Sequence, residues 1–243
     1  MRFKESTGLL SLMILAALPL KAEPVQSVHT TVELISDSSQ IAPGQDFNLG
    51  VTFAMEPEWH IYWKNPGASG LPPEFDWDLP EGFEAGEIQW PAPERISLEG
   101  LVSYGYKGVA TLVVPVTAPA DLEPGGQVPI RLDLSFLICK EMCLPGDASL
   151  ELTLKAADAP KPSAESGTFE RARAARPAAE LPFELEAVAQ EEKTLTVEVS
   201  GPNLPDSLYF YAAEEGMVDP NATEAQPVGP APAVDNEAHA PAA

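Results

Sequence analysis

The chain contains two cysteines, Cys139 and Cys143, separated by three residues. In an extended chain their Cα atoms would lie roughly 13 Å apart, at about 3.3 Å per residue. A disulfide needs these atoms within about 7 Å of each other. The chain must therefore turn between them, and residues 140–142 can make that turn. We predict a short, exposed, tightly closed disulfide, after which Leu144-Pro145-Gly146 redirects the backbone, since proline presets φ and glycine accepts positive φ.

Such a disulfide is open to three chemical interpretations. A loop this small contributes only about 2 kcal/mol to stability on the chain-entropy model, and small strained disulfides tend to be the labile, catalytic ones. These properties favour reversible thiol-disulfide chemistry. A structural disulfide that pins a loop in an exported domain is the second interpretation. The third is a Cu(I) site, since Cys139, Met142 and Cys143 offer the soft sulfur ligands that select Cu(I).

The N-terminus predicts export to a compartment where thiols oxidise. Arg2 and Lys4 precede an apolar stretch from Leu9 to Leu20, and Ala22 is a plausible last residue before cleavage. A run of about a dozen apolar residues is shorter than the ~20 that a spanning helix needs. We therefore predict a signal peptide over residues 1–22 and a mature protein in which a disulfide can persist.

Charge and motifs exclude several function classes. The formal net charge is −23 at pH 7, and the acidic residues are spread along the chain, which excludes nucleic acid binding and favours solubility. The histidines at positions 29, 60 and 239 share no metal-ligand spacing. No glycine-rich phosphate loop or nucleophile elbow is present either. The sequence thus predicts no cofactor and no resident metal.

Alternating apolar residues predict an all-β fold. Period-two segments, which are typical of half-buried antiparallel strands, run over residues 28–35, 47–53, 59–63, 109–114, 128–136 and 150–154. Regularly spaced Pro-Gly turns separate them. Short apolar pieces at Phe75–Trp77 and Ile88–Trp90 flank a proline-rich run and are predicted as edge strands or ordered loop. Seven or more short strands indicate a β-sandwich over residues 25–155.

The remainder of the chain changes composition. Residues 156–182 are rich in Ala, Pro and charge and are predicted to be a linker, with Ser163 capping a short helix that extends to Arg173. Strand patterning returns over residues 183–220, but three strands cannot close a second sandwich. This segment is interpreted as an incomplete second β domain, or as strands docked on the first. Residues 221–243 are predicted to be a disordered tail.

Several spaced motifs together resemble a known family. They are Trp59-His-Ile-Tyr-Trp-Lys-Asn-Pro-Gly67, Gly70-Leu-Pro-Pro73, Gln89-Trp-Pro-Ala-Pro93, Tyr104-Gly-Tyr106 and Cys139-Lys-Glu-Met-Cys-Leu-Pro-Gly146. The chain resembles the N-terminal periplasmic domain of DsbD-type thiol:disulfide interchange proteins, and within them the branch associated with suppression of copper sensitivity. The resemblance implies an immunoglobulin-like domain at the front of a membrane protein-disulfide reductase.

The resemblance also implies a route for electrons. A membrane-embedded reductase segment would supply a periplasmic thioredoxin-like domain, which would reduce the Cys139 and Cys143 pair. The pair would then reduce oxidised periplasmic thiol proteins. Either Cys143 or Cys139 would form the mixed disulfide and the other would resolve it, with Cys143 the expected nucleophile. In better-known members five residues separate the cysteines, so the pair here departs from the family pattern.

Two further elements carry expected roles by the same resemblance. Residues 99–106 take the place of a cap loop over the cysteines, comprising Leu101, Val102, Ser103, Tyr104, Gly105 and Tyr106. Ser103 stands where better-known members carry the shielding aromatic residue, so Tyr104 or Tyr106 would have to substitute. His60 and Tyr62 correspond to an aromatic pair near the cysteines. A protonated His60 would favour thiolate; alternatively, His60 simply faces solvent.

Overall fold

The computed structural model describes residues 22–178, 180, 183–191, 194–202, 204, 207–221 and 226–227. Apart from Ala22, the predicted signal peptide at 1–22 lies outside the described residues. So does most of the predicted disordered tail at 221–243. Both remain predictions.

The regular secondary structure in the described part of the chain is strand, apart from a single α-helix. The strands are β1 Val25–Ser27, β2 Thr30–Ser36, β3 Ser38–Ile41, β4 Asp46–Met55, β5 His60–Gly67, β6 Glu74–Asp78, β7 Glu84–Ala85, β8 Glu94–Leu98, β9 Leu101–Lys107, β10 Val109–Thr117, β11 Gln127–Cys139, β12 Cys143–Ala156, β13 Lys161–Pro162, β14 Glu184–Glu191, β15 Thr194–Ser200, β16 Ser207–Leu208 and β17 Gln226–Pro227. The helix is α1, Ser166–Ala174.

Two of the described sheets face each other as a sandwich. One has the strand order β1-β2-β4-β10-β7, and the other the order β13-β3-β12-β11-β5-β9-β8, with β6 paired to the flank of β11. Their inner faces share one apolar core, in which the rings of Phe53 and Phe136 meet edge to face with centroids 5.3 Å apart. The predicted all-β, immunoglobulin-like sandwich is confirmed.

The long hairpin β11–β12 shows why the alternating sequence folds in this way. Its strands pair antiparallel without a break from Gln127 opposite Lys155 to Cys139 opposite Cys143. Even-numbered residues of β11 from 128 to 138 are buried, while the odd-numbered residues before Leu137 are exposed. Because side chains alternate across a strand, this register places one face of the hairpin in the core. It also fixes the two cysteines at the tip.

The predicted change of direction after the disulfide is wrong. Pro145 and Gly146 lie inside β12, opposite Leu137 and Phe136 of β11. A proline is tolerated there because β3 pairs with β12 only at Lys155 and Ala156, so the second edge of β12 is free of ladder pairing at position 145. Gly146 leaves room for the Phe136 ring, which a Cβ atom would meet at 2.5 Å.

Part of the predicted linker at 156–182 is folded onto the sandwich. The short β13 pairs with β3, and helix α1 buries Phe169 and Ala172 against Ile35 and Val113. The predicted short helix is therefore present, but its N-cap is Glu165 rather than Ser163. The Ser163 hydroxyl instead accepts a hydrogen bond from the Glu165 amide. Apolar residues such as Ile35 lie on the outer face of their sheet, and the helix covers them.

The region predicted as an incomplete second domain, residues 183–220, contains a two-stranded sheet of β14 and β15. The third predicted strand is present only as the two residues of β16, which pair with β17. Tyr209 and Tyr211, which follow β16, pack against the core of the sandwich. No helix in the described part of the chain is long and apolar enough to cross a membrane.

Candidate functional site

The candidate site is the disulfide between Cys139 and Cys143 at the tip of the β11–β12 hairpin. The two Cα atoms lie 4.1 Å apart, and the residues form the last cross-strand pair of the ladder. Residues 140–142 close the hairpin, with the Lys140 amide donating to the Met142 carbonyl at 3.2 Å. The disulfide therefore sits at the end of two paired strands, which hold its sulfur atoms in a fixed place.

The two cysteines differ sharply in their access to solvent. Cys139 is only 2% exposed, whereas Cys143 is exposed. Thiol-disulfide exchange requires direct attack of a thiolate on one sulfur atom. Cys143 is therefore the cysteine open to solvent, and the predicted exposed disulfide is exposed on one side only.

Strand β5 brings His60 next to the disulfide. His60 is the cross-strand neighbour of Cys139 on one side and of Lys107 in β9 on the other. Its side chain is buried, at 3% exposure, so the solvent-facing alternative is wrong. Burial, with a smaller contribution from the positive charge of Lys107, lowers the pKa of His60 to about 4. The imidazole is neutral at pH 7 and cannot supply the positive charge that the sequence suggested.

Tyr62, two residues along β5, makes the polar contact with the disulfide. Its hydroxyl lies 3.3 Å from Cys143 Sγ, and its ring meets the His60 ring edge to face at 5.3 Å. Burial raises the pKa of Tyr62, which also bonds to the Ser69 side chain. The phenol therefore keeps its proton at physiological pH and can donate it in a hydrogen bond to sulfur.

The segment predicted as a cap loop, residues 99–106, is mostly strand. It forms β9, which pairs with β8 through a tight turn at Glu99 and Gly100. Both turn residues have positive φ, at 50° and 84°, as the favoured two-residue hairpin turns require. On its other edge β9 pairs with β5, placing Gly105 opposite Tyr62. The capping role stays a prediction.

The individual residues of this segment lie in different environments. Val102, Ser103, Tyr104, Gly105 and Tyr106 are buried, and Leu101 is 48% exposed beside the turn. The Tyr106 hydroxyl donates to the Pro91 carbonyl, and the Ser103 hydroxyl bonds the Ser69 hydroxyl at 3.1 Å. The Tyr104 ring packs against Trp63 and Tyr211. The aromatic hydroxyl found beside Cys143 thus comes from β5.

The alternative Cu(I) site would draw on Met142, which lies in the hairpin turn and is 65% exposed. A Cu(I) site would need the reduced pair, because thiolates bind soft metals, and this alternative stays a prediction. Among the residues that the structure describes, no three His, Cys, Asp or Glu side chains are grouped as a metal site would need.

Sequence reasoning missed residues that support Tyr62. Gly70 lies against the face of its ring, where a Cβ atom would overlap the ring carbons. Asn65 is buried and bonds a segment more than 140 residues away. Gly70 lies in a motif that the sequence singled out, but its partner could not be inferred. A buried asparagine in the run Lys64-Asn65-Pro66 carries no local signal, because its bonding partners come from the far end of the chain.

An immunoglobulin-like sandwich with a half-exposed disulfide at a hairpin tip fits the class of thiol-disulfide interchange domains. The family model of the N-terminal domain of thiol:disulfide interchange protein DsbD matches residues 31–155, and the chain belongs to this family. The resemblance inferred from the motifs is therefore confirmed.

The chain is also similar to a solved structure, the N-terminal periplasmic domain of ScsB from Proteus mirabilis. The TM-score is 0.54 with 18% sequence identity, over 74% of this chain and 72% of the other. At this identity the likeness concerns the fold. No curated protein sequence matches the chain.

Proposed function

We propose that this chain relays reducing equivalents by thiol-disulfide exchange, with Cys143 as the sulfur that partners attack and Cys139 as the resolving sulfur. The observation that carries the proposal is the asymmetry of the pair, in which Cys143 is exposed and Cys139 is buried. Membership of the interchange family supports it.

Reduction of the pair takes place in two displacements. A partner thiolate attacks Cys143 Sγ, the Cys139–Cys143 bond breaks, and Cys139 leaves as a thiolate while the partner and Cys143 form a mixed disulfide. A second thiolate of the same partner then attacks its own sulfur in that mixed disulfide and releases Cys143. The partner ends as a disulfide, and this chain gains two electrons and, on protonation, two protons.

Delivery of the electrons is the reverse sequence with a different partner. The Cys143 thiolate attacks a disulfide of an oxidised protein and forms a mixed disulfide. Cys139 then attacks Cys143 Sγ, which restores the internal disulfide and releases the substrate as a dithiol. Cys139 can carry out this step because the hairpin register holds it opposite Cys143.

Tyr62 and His60 prepare the site for these steps in different ways. The neutral phenol of Tyr62, 3.3 Å from Cys143 Sγ, donates a hydrogen bond that stabilises negative charge on this sulfur. His60, neutral and buried beside Cys139, contributes shape and packing rather than charge. The site therefore favours a thiolate at Cys143 through a hydrogen bond from a neutral donor.

The family suggests the partners and the compartment. The electron donor would be a thioredoxin-like domain supplied by a membrane-embedded reductase segment, in the same full-length protein or as a separate chain. The acceptors would be oxidised periplasmic thiol proteins. The solved relative is described as a periplasmic domain, and the predicted signal peptide would bring this chain to the same compartment.

Reduction by a thioredoxin-like dithiol domain tests the proposal. The oxidised protein is mixed with the reduced thioredoxin-like domain, and the reaction is quenched with a thiol-alkylating reagent. Mass spectrometry then measures the mass of the protein. We expect the Cys139–Cys143 pair to be reduced within minutes under native conditions. A pair that is reduced only after the protein is unfolded would contradict the proposal and leave a structural disulfide in a binding domain.

A further inference from the structure

The segment Tyr209–Asn221, here called the C-terminal strap, lies across the sheet that carries the redox site. It contacts three neighbouring strands of that sheet, β5, β9 and β8. In each contact the two residues lie more than 100 positions apart in the sequence. The strap therefore connects residues 209–221 to the strands beside the disulfide.

The first strap contact is a pair of hydrogen bonds from Asn65. This side chain lies in an irregular part of β5, where residues 63–66 interrupt the pairing with β9 between Tyr62 and Gly67. Its Nδ2 donates to the Ala212 carbonyl at 2.9 Å and to the Glu214 carbonyl at 3.2 Å. Since Asn65 is only 4% exposed, an amide left without these partners would cost free energy.

The second contact is a cluster of aromatic rings. The ring of Tyr211 meets the rings of Trp63 and Tyr104 edge to face, with centroids 6.4 and 5.2 Å apart. Trp63 and Tyr104 also meet each other, at 6.5 Å. The strap thus completes an aromatic triad with one member from β5 and one from β9.

The remaining contacts fix the two ends of the strap. The Asn221 side chain accepts a hydrogen bond from the Val102 amide in β9 at 2.9 Å. The Arg95 side chain in β8 donates to the Tyr209 hydroxyl at 3.0 Å and lies over its ring. Polar contacts at both ends and an aromatic contact between them define one position for the strap.

The residues held by the strap also hold Tyr62. Trp63 follows Tyr62 directly, and Asn65 Oδ1 accepts a hydrogen bond from the Gly67 amide, the start of the loop that leads to Ser69 and Gly70. Ser69 bonds the Tyr62 hydroxyl, and Gly70 covers its ring. A displacement of Asn65 would therefore move Tyr62 and its contact with Cys143.

We propose that the C-terminal strap sets the reactivity of Cys143 by holding Tyr62 in hydrogen-bonding position, with Tyr211 and Asn65 as positioning residues. This inference deepens the proposed function and rests on it for its biological meaning. A segment or partner that displaces residues 209–221 would therefore change the rate of electron transfer at the disulfide.

The test measures alkylation of Cys143 by iodoacetamide as a function of pH, in the full chain carrying Cys139→Ala. Tyr62→Phe, which removes the hydrogen bond, should lower the rate at pH 7 by about tenfold. Tyr211→Ala should lower it at least about threefold and move the pH profile in the same direction. Phe210→Ala is the matched control, because Phe210 is 42% exposed beside Tyr211, and it should match the parent.

The double variant separates positioning from a general structural effect. If the strap acts through Tyr62, adding Tyr211→Ala to Tyr62→Phe should produce no further loss of rate. A Tyr211→Ala rate equal to the parent, or losses that multiply in the double variant, would overturn the inference. Should Tyr211→Ala fail to fold, Asn221→Ala removes the bond to Val102 and is judged by the same criteria.

The readout needs no redox partner, so it is independent of the test of the proposed function. A disulfide that resists the thioredoxin-like domain would refute the relay while the alkylation profiles still report on the strap. Conversely, a working relay with unchanged Tyr211→Ala alkylation would refute only the strap.

Discussion

At the scale of single residues, the site depends on a difference between two chemically identical side chains. Cys139 is buried and pairs with the end of β5, whereas Cys143 is exposed and lies against the Tyr62 hydroxyl. The proposed direction of attack, at Cys143, rests on this difference in burial. The hydrogen bond from a neutral phenol adds a preference for negative charge on the exposed sulfur.

Single-cysteine variants should reveal this difference directly. The Cys139→Ala protein, which keeps the exposed Cys143, should react with an aromatic disulfide reagent at least about tenfold faster than the Cys143→Ala protein. The rate of release of the coloured thiolate measures the reaction, and both proteins unfolded in denaturant provide the control. Equal rates in the folded state would show that access to the two sulfur atoms does not differ.

His60 makes the stability of the fold depend on pH. Its pKa is about 4 in the folded chain and 6.5 as an ordinary side chain, so the unfolded state binds a proton that the folded state does not. This costs no stability above pH 6.5, and the cost grows as pH falls towards 4, where it reaches about 3 kcal/mol. Urea denaturation should show that the free energy of unfolding falls less between pH 7 and pH 4.5 for His60→Gln than for the parent. An equal fall in the two proteins would contradict a buried, neutral His60.

At the scale of elements, strand β5 is the part of the fold that links the core to the site. Its residues from His60 to Trp63 are all buried, and so are Asn65 and Pro66. Strand β9 approaches one edge so closely that a Cβ atom on Gly105 would overlap the Ile61 carbonyl oxygen. A glycine at this position is therefore required by the approach of the two strands, and that approach determines where Tyr62 lies.

Replacing Gly105 by alanine tests how tightly this approach is set. The added methyl group would force β9 away from β5, and we expect Gly105→Ala to lower the free energy of unfolding by about 2–4 kcal/mol. Gly126→Ala is the matched control, since a Cβ atom there meets only the Glu123 carbonyl, at 3.7 Å. Urea denaturation measures both variants. Equal effects would show that the β5–β9 pairing tolerates a side chain.

These elements also show what sequence can and cannot predict. Period-two patterning over residues 128–136 predicts β11 because one face of that strand is buried and the other is exposed to solvent. The same reasoning fails for His60 and Tyr62, which are buried like their neighbours in β5. Cys143 and the loop at Ser69 and Gly70 lie against Tyr62, and the strand pattern alone does not show these contacts. The Pro145-Gly146 pair looks like a local turn signal, but pairing with β11 holds it in a strand.

At the scale of the whole molecule, we expect the described sandwich to hold without its disulfide. One core spans both sheets, and the β11–β12 ladder is complete up to the cysteines. The loop that the disulfide closes is short, because the two cysteines have a sequence separation of 4. Little chain entropy is removed by closing so short a loop, so we expect the disulfide to open and close without unfolding of the domain.

Chemical reduction should therefore leave the fold intact. We expect the reduced protein to unfold in urea with a free energy lower by only about 2 kcal/mol, and to keep the circular dichroism spectrum of the oxidised form. Cys139→Ala/Cys143→Ala, which cannot re-form the disulfide, is the control. A reduced protein that loses its sheet signal would point to a structural disulfide.

The equilibrium reduction potential of the Cys139–Cys143 pair is the most direct test of the relay. It is measured in the purified protein by thiol trapping in glutathione and dithiothreitol buffers. The relay predicts a potential between roughly −180 and −270 mV, the range of known exchange catalysts. A pair that stays oxidised below about −300 mV would behave as structural disulfides do and would contradict the relay.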